Sequence, residues 1–469
     1  MKDKVKRAHP YIPNSEPRVK QRMLEAIGAK DIEELYGDIP DRLRFRGRMN
    51  LPEPLEAEAD LRRHVEGLLA RNRSCEDMVS FLGAGCYNHY VPAICDEIAR
   101  RSEFLTAYAG EPYEDHGRFQ ALFEYESLMA ELLDMDVVNV PTFDWFQAAG
   151  TSLRMAGRIT GRTKVLVSAG SSPERLMSVR NYCRPVLEVE TVAIELETGQ
   201  LDLRDLDAKL GDDMAAVYFE NPGFLGVLET RGRDIAELTH KKGSLLVVGA
   251  DPVSLGILAP PAHYGADIVC GDIQTLGNHM NFGGGMGGFI STRDEERFVM
   301  EYPSRLFGIA RTSVEGEYGF GDVAYDRTSF GVREKGKEFV GTAAALHGIT
   351  AGVYLALLGP VGMKELGRHL LQKSQYAMKK LSALGRVRAP RLAAPHFKEF
   401  AVDFNATGRT VADINRHLLA NEIQGGWDLS GYFPQYGQSA LYCVTELTRR
   451  GDIDRLCQVL DAYVSTGRK

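Results

Sequence analysis

Residues 244–290 read SLLVVGADPVSLGILAPPAHYGADIVCGDIQTLGNHMNFGGGMGGFI, and the fold is decided in this stretch. An apolar run from Ser244 to Val248 ends in Gly249-Ala250-Asp251-Pro252. A crossover containing Pro260-Pro261 leads to a second run, Ala266 to Cys270, which closes on Gly271-Asp272. A glycine-rich turn, Gly283 to Gly288, then opens a short strand through Phe289 and Ile290. Fully apolar runs bounded by Gly, Pro and Asp are what parallel strands buried on both faces look like. In open α/β sheets the chemistry sits just past the carboxyl ends of such strands.

The same texture extends outward on both sides. Residues 165–167, 192–194, 216–219, 245–248, 268–269 and 289–290 read as strands, and apolar-periodic helices such as 233–241 lie between several of them. That alternation implies a mostly parallel sheet covered on both faces, with right-handed crossovers. Towards the N-terminus, Pro10 and Pro13 keep the start irregular. Glu16-Pro17 after Ser15 marks a helix start and Gly28 its end, a short helix follows at 31–35, and residues 54–72 carry apolar side chains at helical spacing. This arm either wraps a partner or packs on its own chain. Residues 118–134 read as a helix, a long one spans 338–358 and stops at Gly359-Pro360, and another covers 364–384. Beyond Pro390, residues 400–404 and 440–444 alternate like half-buried strands, with helices at 410–420 and 451–464. The resulting division is an N-terminal arm with helices (1–75), a large α/β domain (76–360) and a small C-terminal α+β domain (361–469).

Composition narrows the function. The chain has 469 residues and a net charge of −8 from 64 acids and 56 bases. That balance argues against nucleic-acid or anionic-membrane binding. No apolar stretch approaches the ~20 residues of a membrane span, and the basic N-terminus has no apolar core of a signal peptide. The seven cysteines are odd in number and dispersed, which fits free thiols in a reducing cytoplasm. His116 and His279 are isolated, and no metal site is expected. Gly83 and Gly85 imitate part of a dinucleotide fingerprint, but the third glycine would fall on Asn88 and no strong strand precedes it.

The layout of 244–290 resembles the large domain of fold-type I pyridoxal-phosphate (PLP) enzymes. In that fold the strands lead to a lysine that holds the cofactor as a Schiff base, a role no other side chain fills. Here Gln274 or a neighbour stands at that place, and the flanking lysines are Lys242 and Lys335. A second resemblance is more specific and covers nearly the whole chain. It is carried by residues 9–14 (HPYIPN), 38–40 (DIP), 81–92 (FLGAGCYNHYVP), 106–108 (TAY), 136–139 (DVVN), 250–256 (ADPVSLG), 264–269 (YGADIV), 282–284 (FGG), 333–335 (REK), 353–360 (VYLALLGP) and 444–446 (VTE). In order and spacing these resemble the α subunit (subunit 1) of the two-subunit glycine decarboxylase, the P-protein of the glycine cleavage system. The resemblance implies that the PLP lysine belongs to a β subunit (subunit 2) and that no cofactor is bound covalently here. It implies an assembly that decarboxylates glycine and passes the aminomethyl group to the lipoyl arm of H-protein, without NAD.

Three loops depart from the family. A Gly-Gly-Thr-Ala type of turn after Asp144, suited to an anion at a helix start, is replaced by Trp145-Phe146-Gln147-Ala148. Forcing extra bulk into a packed site costs ~1–3 kcal/mol, so the local shape must differ; Trp145 is expected to fill the space and close the cavity. Residues 109–117 (AGEPYEDHG) replace a longer loop after Tyr108, and 336–343 (GKEFVGTA) replace the run after Lys335. Two alternatives therefore stand beside the glycine reading: a subunit of a paralogous PLP decarboxylase or lyase acting on another amino acid, and a catalytically silent partner of a PLP enzyme. Tyr87, Asn88, His89 and Tyr108 are candidates for the subunit interface near the partner's PLP, with ordinary loop hydrogen bonding as the other reading. Arg327, Arg333 and Lys335 offer a carboxylate or phosphate site, or are solvated charges. Gly283, Gly284 and Gly285 would let the partner's phosphate approach the backbone, or simply form a tight turn. Asp251 reads as a turn residue rather than a partner of the cofactor ring, because the better alignment puts Val248 at that place.

Overall fold

Local sequence signals set the element boundaries in this computed structural model, which describes residues 8, 11–105, 118–284, 286–329, 331–338 and 343–465. The chain divides into two units, Met1–Asn72 and Arg73–Lys469. In the first, α1 (Pro17–Ala26) begins where the Glu16 carboxylate accepts from the Val19 N–H and Pro17 takes the first helical position. A short turn, Ile32–Tyr36, is capped by Asp31 in the same way. α2 spans Glu58–Leu69. Among the described residues of this unit only Leu24 is buried.

The second unit carries the sheet. After β1 (Val79–Ser80), α3 (Ala93–Ala99), α4 (Ser102–Leu105) and α5 (Phe119–Leu133) come β2 (Val137–Val138), α6 (Trp145–Thr160), β3 (Lys164–Ser168), α7 (Pro173–Cys183) and β4 (Glu188–Val192). Then follow α8 (Leu203–Lys209), β5 (Met214–Glu220), α9 (Gly232–Lys241), β6 (Leu245–Gly249), β7 (Ile268–Asp272) and β8 (Gly288–Thr292). The sheet order is β2-β8-β7-β6-β5-β3-β4, parallel from β4 through β7 and antiparallel at β8 and β2. Every residue of β5, β6, β7 and β8 is buried, which is why β5, β6 and β7 are apolar runs without alternation up to their carboxyl ends. β4 is the edge strand and half-exposed. Its apolar signal is thin, and it lies at 188–192 rather than at 192–194; Ile194 only bridges to Leu201.

Beyond the sheet come α10 (Glu296–Val299), the hairpin β9 (Phe307–Arg311) and β10 (Tyr318–Asp322), and α11 (Ala345–Ser382). α11 joins the two helices expected from the sequence, and Gly359 (φ 58°, ψ −175°) breaks it beside Pro360. It starts at Ala345 and not at 338. Glu338 lies outside it, its carboxylate held by the Thr151 and Tyr182 hydroxyls and by Arg158. By length and mean hydropathy (1.4) α11 alone among the described residues passes for a membrane span. Its packing against α5 and α3 and its break make it a core helix. The C-terminal stretch adds β11 (Glu399–Asp403), α12 (Val411–Ala420), β12 (Ile423–Gln424), β13 (Trp427–Asp428), β14 (Ser439–Cys443) and α13 (Arg450–Val464). β11, β14 and β13 form an antiparallel sheet, while β12 pairs in parallel with β1. β1 thus leads residues 81–90 from this small sheet towards the carboxyl ends of the large one.

Candidate functional site

The carboxyl ends of β5 and β6 and the N-termini of α6 and α7 converge on one pocket, lined among others by Tyr87, Trp145, Arg175, Glu220, Asp251 and Lys398. Its floor starts with α6. Asp144 caps that helix by accepting from the Gln147 N–H at 2.9 Å, which sets Trp145 as the first helical residue and turns its ring inward, where it is buried. The indole N–H donates to the Tyr218 hydroxyl (3.1 Å), and that hydroxyl donates to Glu220 Oε1 (3.2 Å). Arg175, from the first turn of α7, lays its guanidinium carbon 3.8 Å above the centre of the Trp145 ring. Its Nη1 lies 2.6 Å from Glu220 Oε1. Burial works against the charge on Arg175, but Glu220 outweighs it and the guanidinium is held protonated more firmly than usual. Gly249 at the end of β6 makes this stack possible, since a Cβ there would lie 2.7 Å from the Tyr218 hydroxyl and 2.8 Å from the Trp145 ring.

The roof is a second buried ion pair. Lys398 Nζ sits 2.7 Å from Asp251 Oδ2 and 3.5 Å from the centre of the Tyr87 ring. Burial opposes both charges; each partner outweighs that penalty for the other, so Lys398 titrates above and Asp251 below its ordinary range. Lys398 also donates to His89 Nε2 at 3.2 Å, which leaves Nδ1–H to donate to Glu446 Oε2 at 2.6 Å. Burial alone would raise the Glu446 carboxyl, but His89 and the Tyr90 N–H (2.8 Å) hold it down at about 2. Glu399 fixes the start of the same loop, accepting from the Ala84 N–H at 2.7 Å and the Tyr87 hydroxyl at 2.8 Å. Between floor and roof about 20 Å³ remains, roughly the room of one water.

The sequence candidates scatter. Gln274 is buried and does lie beside the pocket's loop: its Oε1 accepts from the Tyr87 N–H (3.1 Å), and its Nε2 donates to the carbonyls of Tyr87 (2.9 Å) and Asn278 (3.1 Å). Tyr87 and His89 are buried within this chain and bonded to its own residues, and Asn88 joins them through its carbonyl, which accepts from Thr445. Arg327 is no solvated charge. It is buried and donates to the carbonyls of Tyr302 and Ser304, and burial lowers its pKa to about 10. Arg333 and Lys335 are exposed on a short turn, and Gly283 and Gly284 are exposed beside Phe282, so none of these four lines the pocket. Tyr108 and Gly285 lie outside the described residues. Asp251 is the turn residue it was expected to be, capping Pro252–Gly256 through Val253, and is also half of the roof pair. Sequence reasoning missed Arg175, Glu220, Lys398, Glu399 and the role of Glu446. One signal was available: Lys398 is in phase with Phe400, Val402 and Phe404, so the alternation turns it inward.

The fold matches solved structures closely. A crystal structure of glycine decarboxylase (P-protein) of the glycine cleavage system, in inhibitor-bound form, superposes with a TM-score of 0.82 at 33% identity, over 95% of this chain and 98% of that one. The sphingosine-1-phosphate lyase of Burkholderia pseudomallei matches in fold, with a TM-score of 0.65 at 14% identity over 92% of this chain and 95% of the other. This is the fold of the fold-type I PLP-dependent enzymes. PLP would need a lysine for its aldehyde, a bare helix N-terminus for its phosphate and room for its ring. The residues present do not fit it: Gln274 is locked by hydrogen bonds, Trp145 occupies the helix start, and Arg175 fills the space above. Relatives named probable glycine dehydrogenase (decarboxylating) subunit 1 come from Staphylothermus marinus, 38% identical over 97% of this chain and 98% of its own length, and from Geobacillus kaustophilus, 37% identical over 96% and 98%. With these relatives, and with the profile of the glycine cleavage system P-protein matching residues 9–460, the chain belongs to the P-protein family.

Proposed function

We propose that this chain is the non-cofactor subunit of a glycine dehydrogenase (decarboxylating). With a separate subunit 2 it decarboxylates glycine, and the aminomethyl group passes to the lipoyl arm of H-protein. The PLP that supports the decarboxylation belongs to the partner. The observation that carries this reading is the filled pocket: Gln274 stands where the lysine is expected, and Arg175 on Trp145 stands in the crevice. The P-protein relatives named as subunit 1 support a partner subunit. All seven cysteines are free, which supports a reducing cytoplasm.

What this chain contributes is a rigid surface. The loop 83–90 is bonded at its start by Glu399, in its middle by Gln274 and at its end by Glu446. Tyr90 at its tip remains exposed for a neighbour. The test is glycine–bicarbonate exchange with lipoylated H-protein, measured for this chain, for subunit 2 and for the mixture. Exchange in the mixture alone is the expected result. A subunit 2 that is fully active by itself would refute the reading. Other amino acids belong in the same assay, because the loops that depart from the family include those read as facing the substrate.

A further inference from the structure

The closed crevice is more than a lost site, because what closes it is itself a recognition site. A guanidinium is a flat, weakly hydrated cation that stacks on aromatic faces and pairs with carboxylates. The floor supplies both partners: the Trp145 ring at 3.8 Å and Glu220 Oε1 at 2.6 Å. The plate is held in place from behind, since the indole donates to Tyr218 and Tyr218 donates to the same Glu220 oxygen. Gly249 supplies the clearance. Arg175, Trp145 and Glu220 are all buried, and Arg175 Nε is left without a hydrogen-bond partner. The protein engages the charged head from two sides, through the ring face and the carboxylate.

We propose that Arg175 is the built-in occupant of the crevice: the chain has exchanged a site for an anionic aromatic cofactor for a seat that takes a planar cation. The seat selects by shape and charge together. A flat cation meets the indole face and the carboxylate at once, a round ammonium ion loses the stacking, and a phosphate-bearing ring meets Glu220 and no open helix N-terminus. The inference rests on the same filled pocket as the proposed function but concerns this chain alone, so exchange activity does not decide it.

Removing the occupant tests it. In the purified full chain, Arg175→Ala should lower the Tm, and low millimolar guanidinium or methylguanidinium should restore at least half of the loss. Urea, a flat neutral molecule, and tetramethylammonium, a round cation, should not. The unmutated chain should not respond to guanidinium in that range. The two tryptophans, Trp145 and Trp427, allow a second readout. In a Trp427→Phe background, guanidinium should shift the Trp145 emission of the Arg175→Ala protein. Pyridoxine 5′-phosphate, which has no aldehyde to modify surface lysines, should leave the Trp145 emission of the Arg175 protein unchanged. Saturable quenching by pyridoxine 5′-phosphate, or an Arg175→Ala protein rescued equally by guanidinium, urea and tetramethylammonium or by none of them, would overturn the proposal. If Arg175→Ala does not fold, Arg175→Lys keeps the charge and removes the flat face. A lower Tm with altered Trp145 emission supports the seat, and wild-type values for both refute it.

Discussion

The floor and the roof of the pocket are both buried ion pairs, yet they have different structural roles. At the floor, Arg175 and Glu220 come from α7 and β5, neighbours in the layered sheet, and an aromatic ring carries the cation. At the roof, Lys398 and Asp251 come from stretches far apart in the chain, and the contact continues through His89 to Glu446. The floor therefore decides what the crevice contains. The roof decides how the C-terminal sheet is fastened to the large one, because four distant segments meet in a single line of polar contacts. A buried pair is weak evidence for net stability but costly to break from one side. The two sites should accordingly differ in how much they lose when one partner is removed.

The largest effect is expected at the roof. Lys398→Met leaves Asp251 buried without its cation and takes a donor from His89, and should cost about 3–5 kcal/mol in urea-induced unfolding. Glu220→Gln at the floor should cost less, since the amide oxygen still accepts from Arg175 and the Trp145 face remains. Replacing both roof partners, Lys398→Met with Asp251→Leu, should cost less than Lys398→Met alone, because no unpaired charge is left. Equal losses at floor and roof, or a double variant worse than the single one, would erase the distinction.

Acid should sharpen the same contrast, since two groups at the roof end, His396 and Glu446, titrate below their ordinary ranges. His396, two residues before Lys398, is buried, and burial lowers its pKa from 6.5 to about 4. The unfolded chain binds this proton more readily, so stability is complete above pH 6.5 and falls as the pH drops to about 4, by roughly 3 kcal/mol at 1.36 kcal/mol per unit. His396→Gln should flatten that limb. Glu446 acts in the next window: its carboxyl is held at about 2 against a usual 4.5, so its contribution is present above pH 4.5 and is lost between there and pH 2. Buried Asp272, whose carboxyl burial raises to about 7, adds stability as the pH falls through the same window, so in unfolding free energies measured from pH 7 to pH 2 the His396 limb is read as the difference between wild type and His396→Gln, and His89→Ala should remove the lower limb. A smaller effect tests the loop's other anchor. Tyr87→Phe loses the hydrogen bond to Glu399 while keeping the ring beneath Lys398, and should cost about 1–2 kcal/mol.

The sheet was legible because burial writes itself into composition. β5, β6 and β7 are covered on both faces, so they read as apolar runs without alternation up to their carboxyl ends, and the Gly and Asp there mark where the chain turns. β4 was misplaced because an edge strand with Glu188 and Glu190 lacks that signal. The floor was half legible. Trp-Phe-Gln in place of small residues announced a filled helix start, but Arg175 lies thirty positions away, and its stacking is a tertiary fact that no local pattern encodes. The roof was least legible, because a lysine at the start of a strand reads as solvent-facing unless its phase with Phe400 and Val402 is followed. Tyr87 and His89 were singled out for a partner's site; the same loop position serves equally to bond the chain to itself, and only the locations of Glu399 and Glu446 distinguish the two.

The smallest expected effect bears on the remaining sequence candidates. Arg333 and Lys335 sit exposed on a short turn away from the pocket lining, so neither floor nor roof depends on them. Alanine at either should change the unfolding free energy by no more than about 0.5 kcal/mol. Unchanged stability makes these variants clean probes of the assembly, because a lower rate could not come from a loosened fold. A loss of glycine–bicarbonate exchange in the mixture with subunit 2, while the chain's Tm stays constant, would make them partner-facing groups, with Arg333 the stronger because its flat fork grips a carboxylate or phosphate with two hydrogen bonds. Lys in place of Arg333 should then recover only part of the rate, since a point charge lacks that geometry. Full exchange by both alanine variants would leave them as solvated surface charges and confine this chain's contribution to the loop that the roof holds in place.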